Sequence, residues 1–130
     1  CAQILVRAKY IDEWQKRRKE IATFWCDRFR ELPVTCLSDT PTPHAHQKFV
    51  MYMPDRNSLH THMLLAGVET KIHYAEPLHE LPAYQGFDSP SILAASSSLS
   101  RRCLSLPIYP ELSAAEVETV VESIIRYIDG

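Results

Sequence analysis

The chain has 130 residues, 45% of them apolar and 23% charged, the balance of a globular protein with one ordinary core. A formal charge of −2 gives no basic footprint for nucleic acid, so polyanion binding is not expected. No apolar run approaches the roughly 18 residues of a membrane span and no basic-then-apolar leader opens the chain, so a cytoplasmic location without a membrane partner is the expectation.

The apolar positions Ile4, Ala8, Ile11, Trp14, Ile21, Trp25, Phe29 and Leu32 follow the spacing of one helical face. They predict a single helix ending at Pro33, about 40 Å long at 1.5 Å per residue, which reads as a connector or a dimer strut. Lys16, Arg17, Arg18 and Lys19 interrupt the stripe and read as a basic turn on a solvated helix.

Residues 34–37 are short and β-prone, residues 38–43 form a polar turn punctuated by proline, and residues 47–53 read as a buried strand. Asp55 or Asn57 can cap a helix through Leu59, Met63, Leu64 and Leu65, with Gly67 at its end. A strand is expected over 69–74, with Thr70, Ile72 and Tyr74 facing the core and Lys71 and His73 facing away.

A loop over 75–88 carries Pro77 and Pro82 and is long enough to suggest a role beyond connection. Ser89 and Pro90 read as an N-cap and first-turn proline for a helix to about Arg101, with Leu93 and Leu99 as its apolar face despite Ser96, Ser97, Ser98 and Ser100. Residues 103–108 form the next strand. Ser113 and Glu116 make a capping box, Leu112 and Val117 a hydrophobic staple, and Val117, Val120, Val121, Ile124, Ile125 and Ile128 one apolar face. The expected fold is α/β (α+β), a small mixed or antiparallel sheet covered by helices on one face.

Few motifs carry chemistry. Cys1, Cys26, Cys36 and Cys103 are widely spaced and read as buried reduced thiols. His44 with His46, and His60 with His62, are H-x-H pairs, but the second pair points apart on its predicted helix and the first lacks an acidic or third histidine ligand at a recognised spacing, so no metal is expected. No Gly-x-Ser-x-Gly elbow or Gly-rich phosphate loop occurs. His73 is the sharper candidate, because its predicted strand turns it away from the core toward a possible cleft. Tyr74, His79 and Tyr84 are weaker candidates for the same ligand.

Several segments, in order, resemble the C-terminal end of the DegT/DnrJ/StrS sugar aminotransferases. Residues 2–14, followed by Arg17 and Arg18, are similar to that family's inter-domain helix, and residues 48–52 to its first long small-domain strand. Residues 64–74 resemble its "L-x-x-x-G-I-x-T-x-x-H-Y" segment, with Pro77, Leu78 and His79 following. Residues 104–113 resemble a further stretch of the same region.

The resemblance implies a connector helix over 1–32 and the small domain of a fold-type-I enzyme over 33–130. The implied reaction is amino transfer, usually from glutamate, to a keto-sugar linked to a nucleoside diphosphate. The implied cofactor is pyridoxal phosphate (PLP), bound in the full-length parent by a large domain upstream; no cofactor and no catalytic residue is expected in these residues alone. His73, Tyr74 and His79 are the implied substrate contacts. The implied partners are the chain's own large domain and a second copy in a homodimer, with the nucleotide sugar and amino donor as ligands. The alternative is a noncatalytic module that dimerises through its long N-terminal helix.

Overall fold

The computed structural model describes residues 2–36, 44–84 and 93–130. The first apolar stripe folds as two helices, not one: α1, Ala2–Ala8, and α2, Ile11–Phe29, part at Lys9 and Tyr10. Asp12 and Glu13 fall in the first turn of α2, where carboxylates suit the exposed N–H groups of a helix start. Along α2 burial begins at Ile21 and continues through Ala22, Trp25 and Phe29, whereas α1 buries nothing. A helical face is covered only where another element packs on it, and nothing in the described residues covers Ile4 or Leu5, 71% and 69% exposed.

The sheet has three strands in the order β1, Thr35–Cys36, then β2, Phe49–Tyr52, then β3, Cys103–Leu106, with both pairs antiparallel. Phe49 opposes Leu106 and Met51 opposes Leu104, so these four share one face, and Val50, Tyr52, Cys103 and Ser105 share the other. The first face meets the core, where the Trp25 ring stands edge-on to Phe49 at 5.1 Å.

Between β2 and β3 lies α3, Arg56–Leu65, capped by the Asp55 carboxylate, which accepts from the Ser58 N–H at 3.4 Å. Leu59 and Met63, one turn apart, are fully buried, while Leu64 and Leu65 fall off that face and are exposed. Gly67 closes the helix at φ +79°. The Val68 N–H bonds to the Met63 carbonyl and the Gly67 N–H to the Leu64 carbonyl, a left-handed closure that other residues resist.

The strand expected over 69–74 is a single bridge. Lys71 and Ser105 exchange both backbone hydrogen bonds, at 3.0 and 2.7 Å. Thr70 is buried and Ile72 packs partly on the core, but Tyr74 is 69% exposed. With no ladder beyond Lys71 the alternation is not maintained, so Tyr74 does not join the core face. The following loop holds two 3-10 turns, Leu78–Glu80 and Pro82–Tyr84. Residues 85–88 of that loop and the expected cap at Ser89 and Pro90 lie outside the described residues. The serine-rich segment is helical as α4, Ala94–Arg102, but its buried residue is Ser97 and Leu99 is exposed.

The last helix, α5, Ala114–Asp129, carries the expected capping box at Ser113 and Glu116. Leu112, Val117, Val120, Val121 and Ile124 are buried, and Ile125 and Ile128 partly so. Because Ser113 satisfies the Glu116 N–H at 3.2 Å, Ser113→Ala should cost about 1 kcal/mol of stability. Urea denaturation checks this; an unshifted midpoint rejects it.

The basic turn of α2 is not merely solvated. Arg17 Nη2 donates to the Leu112 carbonyl and Arg18 Nε to the Ala45 carbonyl, each at 3.0 Å. These bonds hold the approaches to α5 and β2.

Candidate functional site

The start of β2, the single bridge at Lys71, the exit from β3 and the first turns of α5 surround one cleft of about 530 Å³. Lys48 enters β2, Lys71 and His73 come from the bridged segment, Ser105 and Tyr109 from β3 and its exit, and Glu116 from α5. The sheet geometry explains the grouping. Ser105 belongs to the face turned from the core, and the Lys71 bridge lays His73 beside it.

His73 Nδ1 lies 2.9 Å from Ser105 Oγ. Burial, and then the ammonium charges of Lys48 and Lys71, hold its imidazole below the ordinary histidine range, so the ring is neutral at neutral pH. Lys71 pairs with Glu69, whose carboxyl is held low by that lysine. The Glu116 carboxylate is held low by its bonds to Ser113. Lys48 Nζ stands 5.7 Å from the centre of the Tyr74 ring. The cleft thus offers two ammonium groups and a neutral imidazole, a donor set suited to an oxygen-rich ligand.

Of the residues singled out from sequence, His73 lines the cleft. Tyr74 does not line it but touches it through Lys48, and its ring meets the His73 ring edge-on at 5.6 Å. His79 sits elsewhere. Its Nε2 is 3.0 Å from Ser97 Oγ and 3.6 Å from Glu80, Ser97 also donates to Glu80, and Arg101 reaches Glu80 at 3.9 Å. This cluster ties the Leu78–Glu80 turn to α4. Tyr84 is 42% exposed at the end of the second turn.

Sequence reasoning missed Ser105 and Lys48 as cleft residues. A serine between Leu104 and Leu106 was the available signal, because a buried hydroxyl in an apolar strand must find a partner.

The histidine pairs do different work. His46 N–H donates to His44 Nδ1 at 2.9 Å, and the rings meet edge-on at 4.6 Å. Burial first, then His44, Lys19 and Arg18, lowers the His46 pKa. His60 Nδ1 is 2.6 Å from Thr70 Oγ1, and His62 packs on Tyr127. Among the described residues no group of three or more His, Cys, Asp or Glu could hold a metal ion, and no helix is long and apolar enough to cross a membrane. Of the cysteines, Cys103 is buried and Cys26 and Cys36 half-buried. Burial, and then the neighbouring Cys26, push the Cys36 thiol up to about 12, so it is no nucleophile at neutral pH. Cys1 lies outside the described residues.

Residues 1–125 match the DegT/DnrJ/EryC1/StrS aminotransferase family. The erythromycin biosynthesis sensory transduction protein EryC1 of Saccharopolyspora erythraea is 32% identical over 95% of this chain and 35% of its own length. The dTDP-3-amino-3,6-dideoxy-alpha-D-galactopyranose transaminase of Aneurinibacillus thermoaerophilus is 30% identical over 98% and 35%. Among solved structures, S. venezuelae DesV in complex with a ketimine intermediate superposes with a TM-score of 0.92 at 27% identity, over 99% of this chain and 36% of that one. The chain therefore spans about a third of the length of the relatives it matches.

Proposed function

The chain belongs to the DegT/DnrJ/EryC1/StrS aminotransferase family, and on that premise we propose that it is the C-terminal small domain of a PLP-dependent aminotransferase acting on a nucleotide-linked keto-sugar. The observation that carries this reading is the family match over residues 1–125. In this reading residues 1–32 connect to a large domain upstream and 33–130 form the small domain. The exposed Ile4, Leu5 and Ile11 are the surface that large domain covers, and the whole enzyme works as a cytoplasmic homodimer.

PLP, when bound, supplies an electron sink for the reaction. The residues of this cleft do not suit it. Lys71 is paired with Glu69, and the Lys48 ammonium lies by the Tyr74 ring. Glu116, the other carboxylate of the cleft, is engaged by Ser113. None of these is placed as a cofactor-holding lysine or as an acid for a pyridine nitrogen, so the cofactor site belongs to the large domain in this proposal.

The task left to this chain is positioning the sugar. His73 hydrogen-bonds a hydroxyl or phosphoryl oxygen and Tyr74 borders the same opening beside Lys48, while His79, outside the cleft, serves the sugar only indirectly, by holding the Leu78–Glu80 turn to α4 through Ser97. In the full-length enzyme, His73→Ala should slow amino transfer to the sugar by roughly tenfold or more, with folding and PLP content unchanged. Single-turnover kinetics with the aminated cofactor and the keto-sugar measure this. An unchanged rate in the folded variant overturns the assignment of His73.

A further inference from the structure

We propose that Ser105 is a positioning residue that holds His73 in the tautomer bearing its proton on Nε2, so that the cleft receives a hydrogen-bond acceptor, an oxygen of a hydroxyl, carbonyl or phosphoryl group. The choice of ligand atom rests on the reading of the cleft as a sugar site; the choice of tautomer does not.

Ser105 is 5% exposed. Its backbone N–H and carbonyl are both engaged by Lys71, which fixes where its side chain leaves the strand. The hydroxyl has one hydrogen to donate and lone pairs to accept with, and its hydrogen bond among the described residues is to His73 Nδ1 at 2.9 Å.

Two arrangements are conceivable. With a proton on Nδ1, the serine oxygen accepts it and the buried hydroxyl hydrogen has no acceptor among the described residues. With Nδ1 bare, the hydroxyl donates to it and both groups are satisfied. A buried donor left unpaired is the costlier outcome, so Nδ1 is bare and the proton of the neutral ring sits on Nε2.

The doubly protonated ring is disfavoured by burial and then by the ammonium groups of Lys48 and Lys71. Nε2 forms no hydrogen bond among the described residues, and His73 lines the cleft. A donor fixed in place before a ligand arrives loses little ordering entropy on binding.

Nitrogen-15 NMR of this chain with labelled histidine, in mildly alkaline solution, tests the tautomer. The His73 signals should show a bare Nδ1 and a protonated Nε2; the reverse, or an averaged pair, overturns the proposal. Ser105→Ala should release the preference toward a mixture while amide dispersion stays native, and a fully retained Nε2 tautomer in that variant overturns the role of Ser105. Should Ser105→Ala not fold, the unsubstituted chain still decides the tautomer.

The ligand atom is tested in the full-length enzyme. His73→Gln, whose amide reaches about as far as Nε2, should keep severalfold more of the sugar-dependent rate than His73→Asn, whose shorter amide stands nearer Nδ1. Equal losses overturn the assignment of an acceptor at Nε2. A rate indifferent to all changes at His73 overturns the sugar-site reading while the NMR result stands.

Discussion

Trp25→Ala should destabilise the chain by about 3–5 kcal/mol, a large part of the roughly 5–15 kcal/mol that holds a typical domain folded. The side chain is fully buried, packs edge-on against Phe49 and donates from Nε1 to the Val117 carbonyl at 3.1 Å. Removing it opens a cavity where α2, β2 and α5 converge and takes a donor from Val117, one of the first buried residues of α5. Equilibrium unfolding in urea reads the loss. Trp25→Phe refills part of the volume without restoring the donor, so it should fall between the two. A midpoint for Trp25→Ala within error of the unsubstituted chain contradicts the packing described.

Leu104→Asp should be as severe, on the order of 4 kcal/mol or more. Leu104 is fully buried on β3 opposite Met51, where a carboxylate loses its water and must either take up a proton or unfold its surroundings. Leu65→Asp is the control. Leu65 is 84% exposed on α3, and its replacement should change stability by no more than about 0.5 kcal/mol. Circular dichroism during denaturation separates the two, and a folded, normally stable Leu104→Asp chain would place β3 wrongly.

The contrast between these leucines shows which parts of the fold were legible in the sequence. α5 was read in full because its signals are local: the Ser113 cap, the Glu116 return bond and the apolar face all lie within the helix or one residue before it. Asp55 and Gly67 bounded α3 for the same reason. Leu64 and Leu65 look as apolar as Leu59 and Met63, and only the packing of α5 and β3 decides which side is covered.

The break at Lys9 and Tyr10 was hidden similarly, since apolar spacing continues across it while burial begins only at Ile21. Residues 69–74 alternated like a strand, but a strand exists only where a neighbour offers a ladder, and Ser105 offers one rung. In the site, His73 was visible through its context and the resemblance that runs through it. Ser105 was not, because a hydroxyl's partner across the 32 positions separating the two residues leaves no trace in local pattern. Arg17 and Arg18 were obscured by their own charge, which reads as solvation wherever the carbonyl partner is distant.

The bond from Trp25 to Val117 spans 92 positions, and that separation orders events in time. During synthesis α2 leaves the ribosome long before the helix that covers it. Trp25, Phe29 and Phe49 then wait without their partners, and closing so long a loop carries an entropic cost before any contact compensates for it. The core becomes complete only when residues as late as Ile124 are available. The newborn chain therefore passes through an interval with its largest aromatic side chains uncovered, when chaperone capture or aggregation competes with folding.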